Sequence, residues 1–173
     1  MSKTNDNIIG LSEREVRMIA DLEFQEKYYF TREDISKHFG SKSKVSYAIH
    51  RLKTKKRIVK LNRNKYYLIP IKARSGKWSD HSFIIADEMM SGKDYYIGGW
   101  AAAYYWKLTD QVPMKIEIYA NKRGGTIKVL TESFIFRKTT ERRIKNSVER
   151  KIKNHSFKII SKKDSKKWLK SRN

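Results

Sequence analysis

TREDISKHFGSKSKVSYAIHRLKTKKRIVKLNRNKYYL, residues 31–68, reads as two short helices, a sharp turn between them and a two-stranded hairpin. Thr31 and Asp34 stand three apart, the spacing of a capping box with Asp in place of the usual Glu or Gln. Ile35 and Phe39 fall one turn apart on the helix so opened, and Gly40 suits a left-handed C-terminal cap. Ser41 and Ser43 are candidate caps for the next helix. There Val45, Ala48, Ile49 and Leu52 recur at i, i+3, i+4 and i+7, one apolar stripe for burial. The opposite face carries Ser43, Ser46, Tyr47, His50 and Thr54, flanked by Lys44, Arg51 and Lys53. Polar groups able to meet base edges lie in the middle, and cations able to meet phosphates lie at the margins. Residues 57–61 and 65–69 are β-rich runs around Asn62-Arg63-Asn64, and Pro70 closes the hairpin.

Together these signals predict a winged helix-turn-helix over residues 8–72. On this reading Ser43, Tyr47 and His50 meet base edges, with Ser46 beside them. Lys42, Lys44, Arg51 and Lys53 meet phosphates, as do Arg63 and Lys65 on the wing. A solvated basic face, or a helix-turn-helix used for protein docking, would show the same helical wheel. The distribution of charge favours double-stranded DNA. The 173 residues carry a net charge of +22, but residues 31–80 hold 15 basic against 3 acidic side chains and residues 121–173 hold 18 against 4. Residues 1–30 and 81–120 are each net −2. Two basic blocks alternating with near-neutral ones point to two polyanion-facing surfaces.

With no cysteine, disulfides and thiolate zinc sites are excluded, and a reducing cytoplasm is compatible. The opening MSKTNDNIIG lacks the apolar core of a signal peptide, and no run approaches the roughly 20 apolar residues of a membrane span. A soluble cytoplasmic protein without a membrane partner is expected.

Ahead of the central stretch, Ser12 and Glu15 make a capping box for a helix expected to turn Val16, Ile19, Ala20 and Phe24 inward and an acidic face of Glu13, Asp21 and Glu23 outward. Tyr28, Tyr29 and Phe30 suggest a short extended scaffold segment. Residues 71–79, rich in Gly, Ser and cations, read as a break between domains. A second, α+β domain is expected over residues 78–160. Its first helix, capped by Ser79 or Asp80, holds Phe83, Ile84, Ile85, Met89 and Met90 and ends at Gly92. Gly98-Gly99 marks a close approach or a tight turn, and the Ala101–Ala103 run makes a helix with a smooth face. Strands are expected at residues 114–120, where Met114, Ile116, Ile118 and Ala120 alternate, at 127–130 and at 134–136, giving a small antiparallel sheet. Residues 161–173 are expected as a basic tail. Just before it, Ile144, Val148 and Ile152 suggest a weakly held helix and residues 155–160 a last strand; within it Asp164 is the expected start of a short helix docked by Trp168 and Leu169.

Catalytic chemistry is not indicated. His38, His50, His81 and His155 lack metal-ligand spacing, and neither glycine pair belongs to a phosphate-cradling motif. Asp87 and Glu88 are adjacent on a helix and point apart. Asp110, Glu117 and Lys122 do not complete a nuclease pattern, since Glu117 has no lysine two residues on. No catalytic residue, metal or cofactor is assigned.

The run Tyr96-Ile97-Gly98-Gly99-Trp100-Ala101-Ala102-Ala103, followed by Leu108-Thr109-Asp110-Gln111-Val112-Pro113 and a strand, resembles the core signature of AbiEi-type antitoxins. These are the transcriptional-regulator halves of type IV toxin–antitoxin systems linked to abortive phage infection. Tyr66-Tyr67-Leu68-Ile69-Pro70 is similar to the end of that family's wing strand. The resemblance covers roughly residues 8–138. It implies a winged helix that represses its own promoter and a second domain that counteracts a nucleotidyltransferase-like toxin, not necessarily through a stable complex. Two features depart from the family: Trp106-Lys107 replaces a frequent His-Gly, and residues 139–173 have no clear counterpart. The alternative from another class is an interaction module that docks a partner without sequence-specific DNA binding; RNA binding through the basic tail is a third reading.

Overall fold

Capping chemistry sets the helix starts in the first part of the chain. Ser12 Oγ accepts from the Glu15 backbone N–H at 3.3 Å, and the Glu15 carboxylate accepts from Ser12 N–H at 2.7 Å. Thr31 and Asp34 repeat the reciprocal pair. The computed structural model describes residues 10–70 and 80–172, and the chain forms two units, residues 1–78 and 79–173. The linker reading of residues 71–79, the Ser79 cap and residues 1–9 lie outside the described residues. The fold is mixed α+β, with seven α-helices among the described residues.

The first unit runs α1 (Glu13–Phe24), β1 (Tyr29–Thr31), α2 (Arg32–Ile35), a 3-10 turn (Ser36–His38), α3 (Lys42–Thr54), β2 (Ile58–Lys60) and β3 (Lys65–Leu68). Its strands form an antiparallel sheet in the order β1-β3-β2. Met18, Ile19 and Leu22 of α1 meet Ile35, Phe39 and the α3 stripe Val45, Ala48, Ile49 and Leu52 in one core. Tyr66 stacks on Phe30 within that core, while Tyr67 tilts onto Tyr29 on the opposite face of the sheet.

The inward face expected for α1 is corrected. Phe24 is 89% exposed and Ala20 lies at the surface, whereas Glu15, Met18, Ile19 and Leu22 are buried. The buried stripe follows i, i+3, i+4, i+7 from Glu15, and Phe24, about 200° beyond Leu22, points away from it. The helix containing Ile35 also ends early: after one turn it tightens into the 3-10 segment, and Gly40 at φ +72° follows Phe39.

The second unit contains α4 (Ser82–Met90), β4 (Tyr95–Gly98), α5 (Gly99–Tyr105), β5 (Ile116–Ala120), β6 (Gly125–Val129), β7 (Glu132–Lys138), α6 (Glu141–Lys145), β8 (Val148–Ile152), β9 (His155–Ile159) and α7 (Lys162–Lys170). The sheet is six-stranded and mixed, ordered β6-β7-β5-β4-β9-β8, rather than the small antiparallel sheet expected. β5 runs parallel to β7 and β4 parallel to β9. β4 lies inside the sheet and is buried along its whole length. β5 keeps the expected alternation, but it starts at Ile116, and Met114 is 88% exposed.

Residues 148–152 are a strand, not the expected helix. Lys153 and Asn154, both at positive φ, turn β8 back onto β9, the geometry of a two-residue hairpin turn. α4 is capped by His81, whose Nδ1 accepts from the Phe83 N–H at 3.2 Å, and not by Asp80. α7, expected as part of a tail, packs against α5. Trp168 meets Trp100 edge-to-face, and Ser165 is buried at the contact. β9 is tied in by polar links as well. Asp87 accepts from Tyr95 Oη at 2.6 Å and pairs with His155 Nε2 at 2.9 Å, and Trp106 Nε1 donates to the Ile160 carbonyl at 2.9 Å.

Candidate nucleic-acid interface

Ser41, not Ser43, caps α3, accepting from the Lys44 N–H at 3.3 Å. With Val45, Ala48, Ile49 and Leu52 turned into the core, the rest of the helix is presented outward. Lys42, Ser43, Lys44, Ser46, Tyr47 and His50 are all exposed, and so are Lys53 and Thr54. Tyr47, in the middle of this row, is 64% exposed, which leaves a large flat side chain with nothing but solvent over much of its surface. A large exposed aromatic among cations and hydroxyls is the arrangement that base and backbone contacts use.

Arg51 differs from the rest of the set. Its Nη2 donates to the Gly10 carbonyl at 3.1 Å and lies 3.4 Å from the Glu15 carboxylate, and only 33% of its side chain is exposed. Lys55 also bonds the Gly10 carbonyl and reaches Glu15 at 3.5 Å. Arg51 is therefore an internal strut between α3 and the start of α1. Its placement at the margin of the helical wheel is correct, but Glu15 is buried within its reach and claims the charge. Burial and a backbone acceptor remove Arg57 from the basic surface. It is 5% exposed and donates to the Ile69 carbonyl at 2.7 Å, and burial holds its guanidinium below the ordinary arginine pKa despite the nearby Glu23 charge.

Arg63 and Lys65 are positioned by the β2–β3 turn and not by α3. The Asn62 side-chain carbonyl accepts from the backbone N–H groups of Asn64 and Lys65 at 2.9 Å each, fixing the turn. Arg63 is exposed at the turn, while Lys65 is half-buried and paired with Thr31 in the sheet. One side chain missed by sequence reasoning joins the α3 row. Arg32, the first residue of α2, donates from Nη1 to Ser46 Oγ at 2.7 Å. The signal was present in its position directly after the Thr31 cap, where a side chain can reach the neighbouring helix.

Two carboxylates stabilise the helices behind this row. Burial pushes the Asp34 pKa up, but hydrogen bonds from Lys27 and from Thr31 outweigh it and hold the carboxyl below its ordinary 3.8. Asp21 is lowered by its hydrogen bond to Lys37 above all, with His38 adding a smaller share.

No family model matches the chain. No curated protein matches it either. Among solved structures, the chain is similar to the RV2827C protein from Mycobacterium tuberculosis, with 14% sequence identity and a TM-score of 0.54. The match covers 81% of this chain and 50% of that one, so this chain spans half the length of its structural neighbour. At that identity the likeness concerns the fold alone.

Proposed function

We propose that the chain is a DNA-binding transcriptional regulator whose first unit is a winged helix-turn-helix. The observation that carries the reading is the exposed row on α3: Tyr47 and His50 at its centre, Lys42, Lys44 and Lys53 around them, and an unbroken buried stripe behind. The element order helix, strand, helix, helix, hairpin and the β1-β3-β2 sheet support the winged-helix assignment, with α3 as recognition helix and the β2–β3 turn as wing. Ser43, Ser46, Tyr47 and His50 read base edges, Arg32 steadies Ser46, and Lys42, Lys44, Lys53, Arg63 and Lys65 meet phosphates.

Fluorescence anisotropy with duplex DNA from upstream of the protein's own gene tests this. With about five phosphates neutralised, log K should fall against log salt with a slope near −4.5. Replacing Lys42 and Lys44 together by Gln should lower that slope by about 2. A salt-independent affinity would overturn the assignment.

Within the same proposal, the resemblance at residues 96–113 makes the chain the autorepressing antitoxin of a type IV toxin–antitoxin system. The second unit would then counteract a nucleotidyltransferase-like toxin. Co-expression with the neighbouring open reading frame tests this half: growth rescue by the full chain supports it, and unrelieved toxicity overturns it. A non-enzymatic role fits Glu117, the carboxylate nearest a nuclease pattern, because it is engaged by Tyr119 Oη at 2.9 Å and Arg137 at 3.3 Å. The second reading, a docking module, draws on Phe24, which stands 89% exposed beside Ala20 and His38. A Phe24→Ser variant that loses a partner while keeping DNA affinity would favour it.

A further inference from the structure

The second basic block contains a cavity. Its volume is about 1020 Å³, and it opens where β7, α6 and α7 meet the β4–β5 part of the sheet. Four cations line it: Lys138 at the end of β7, Arg142 and Arg143 on α6, and Lys167 on α7. Asp164 is the one carboxylate in the lining, and it is committed to the start of α7, accepting from Ser161 Oγ at 2.8 Å. It lies 4.0 Å from Lys167. Lys138, Arg142 and Arg143 have no carboxylate partner among the described residues. Thr140, also in the lining, caps α6 without giving its hydroxyl to the helix.

The remaining wall is aromatic. Tyr119 stacks on Tyr96 with ring centroids 5.0 Å apart and an interplanar angle of 1°. A Cβ at Gly98 would come within 2.6 Å of the Tyr119 ring, so the ring lies flush on bare backbone there. At the other side, half-buried Trp168 is held edge-to-face by Trp100 and carries the Arg172 guanidinium 5.5 Å from its ring centroid, which adds a further cation beside the indole. Cations drawn from three elements into one concavity suit several phosphates held close together, and a facing aromatic wall suits a planar heterocycle. The volume is of the order of small-molecule sites, roughly 300–1,000 Å³.

We propose that this cavity binds a nucleoside polyphosphate. Arg142, Arg143 and Lys138 grip the phosphates, Thr140 hydrogen-bonds them, and Trp168 stacks on the base. The site belongs to the second unit alone and goes beyond the DNA-binding reading, which stands or falls on α3. A nucleic-acid strand shares the chemistry, but its phosphates succeed one another along a track, whereas these cations converge on one concavity.

Isothermal titration of the full chain with ATP, GTP, inorganic tripolyphosphate and a short single-stranded RNA tests the site. ATP or GTP should bind saturably, and Arg142→Ala/Arg143→Ala should weaken binding at least about tenfold, since two charge-assisted contacts are lost. Both arginines are exposed, so circular dichroism should show an unchanged fold; Lys138→Gln supplies a second variant with the same expected direction. Trp168→Leu, which keeps an apolar contact on Trp100, should weaken ATP and GTP but leave tripolyphosphate unchanged. Absence of saturable nucleotide binding, or equal affinity in the arginine variant, would overturn the proposal. Equal loss of nucleotide and tripolyphosphate binding on Trp168→Leu would refute base stacking. RNA binding that depends on the same arginines but resists competition by nucleotide would replace the small ligand with a strand. DNA anisotropy run in parallel separates failure of this site from failure of the α3 reading.

Discussion

The two units carry their positive charge on surfaces of opposite curvature. In the first, Lys42, Lys44 and Lys53 project from the outer face of one helix, and the cations that approach the core, Arg51 and Arg57, are taken up by Glu15 and by the Ile69 carbonyl. In the second, cations from three elements line a hollow, and Arg123 is withdrawn onto the Phe136 ring at 3.9 Å and the Met89 carbonyl at 3.0 Å. Formal charge along the chain is thus a poor guide to available charge. Burial and nearby acceptors decide which cations a polyanion can reach, and the two proposed readings differ accordingly, an exposed helix row for a duplex and a hollow for a small ligand.

The variant expected to cut deepest is Phe157→Ala. Phe157 is 1% exposed between Phe83 and Tyr105 at 5.2 and 5.7 Å, and its loss should cost about 3–5 kcal/mol. Urea unfolding should show the second unit losing its transition while the first keeps its own. A single shared transition in both proteins would mean the units do not fold separately. Glu15→Ala comes next. It leaves Arg51 and Lys55 facing an emptied buried site and should cost the first unit about 2–4 kcal/mol in the same assay. Arg51→Ala should destabilise too and leave the DNA salt slope unchanged. A slope reduced by about 1 would return Arg51 to the phosphate-binding set.

Tyr47→Ala should leave stability within about 0.5 kcal/mol, because the side chain is exposed. It should narrow discrimination between DNA sites by about 1–3 kcal/mol, read by competition with altered duplexes. The smallest effect is expected of Asp34→Asn, about 1 kcal/mol or less at neutral pH. The folded Asp34 carboxyl sits below its ordinary 3.8, so its contribution is fully present above that value and is lost as pH falls through the depressed folded value. The Asn variant should lack this part of the acid loss. Identical acid profiles would place the sensitivity elsewhere, with Asp21 and its Lys37 and His38 partners the next groups to replace.

Legibility followed the range of the interactions. Both N-terminal capping boxes, the α3 stripe, the hairpin around Asn62 and the alternation of β5 use residues within a few positions of one another, and all were readable. Gly98-Gly99 was readable as a close approach, though not as the place where Tyr119 and Glu117 cross the backbone. The phase of α1 was misread because Glu15, a polar residue, opens its buried stripe. The β8 strand was misread because its apolar residues at 148 and 152 suit either period, and the signal lay in the Lys153-Asn154 turn.

From the sequence alone came the local grammar: where helices begin, which face of α3 is apolar, where the hairpin turns, and that charge gathers in two blocks. Only the tertiary structure decided that β4 lies between β5 and β9, that α7 seats on α5, that Arg51 belongs to Glu15, and that Lys138, Arg142, Arg143 and Lys167 share one hollow. The reason is physical. Caps, stripes and turns are settled by neighbours along the chain, while strand order, buried ion pairs and cavities depend on groups far apart in it, whose meeting is fixed only when the whole core has packed.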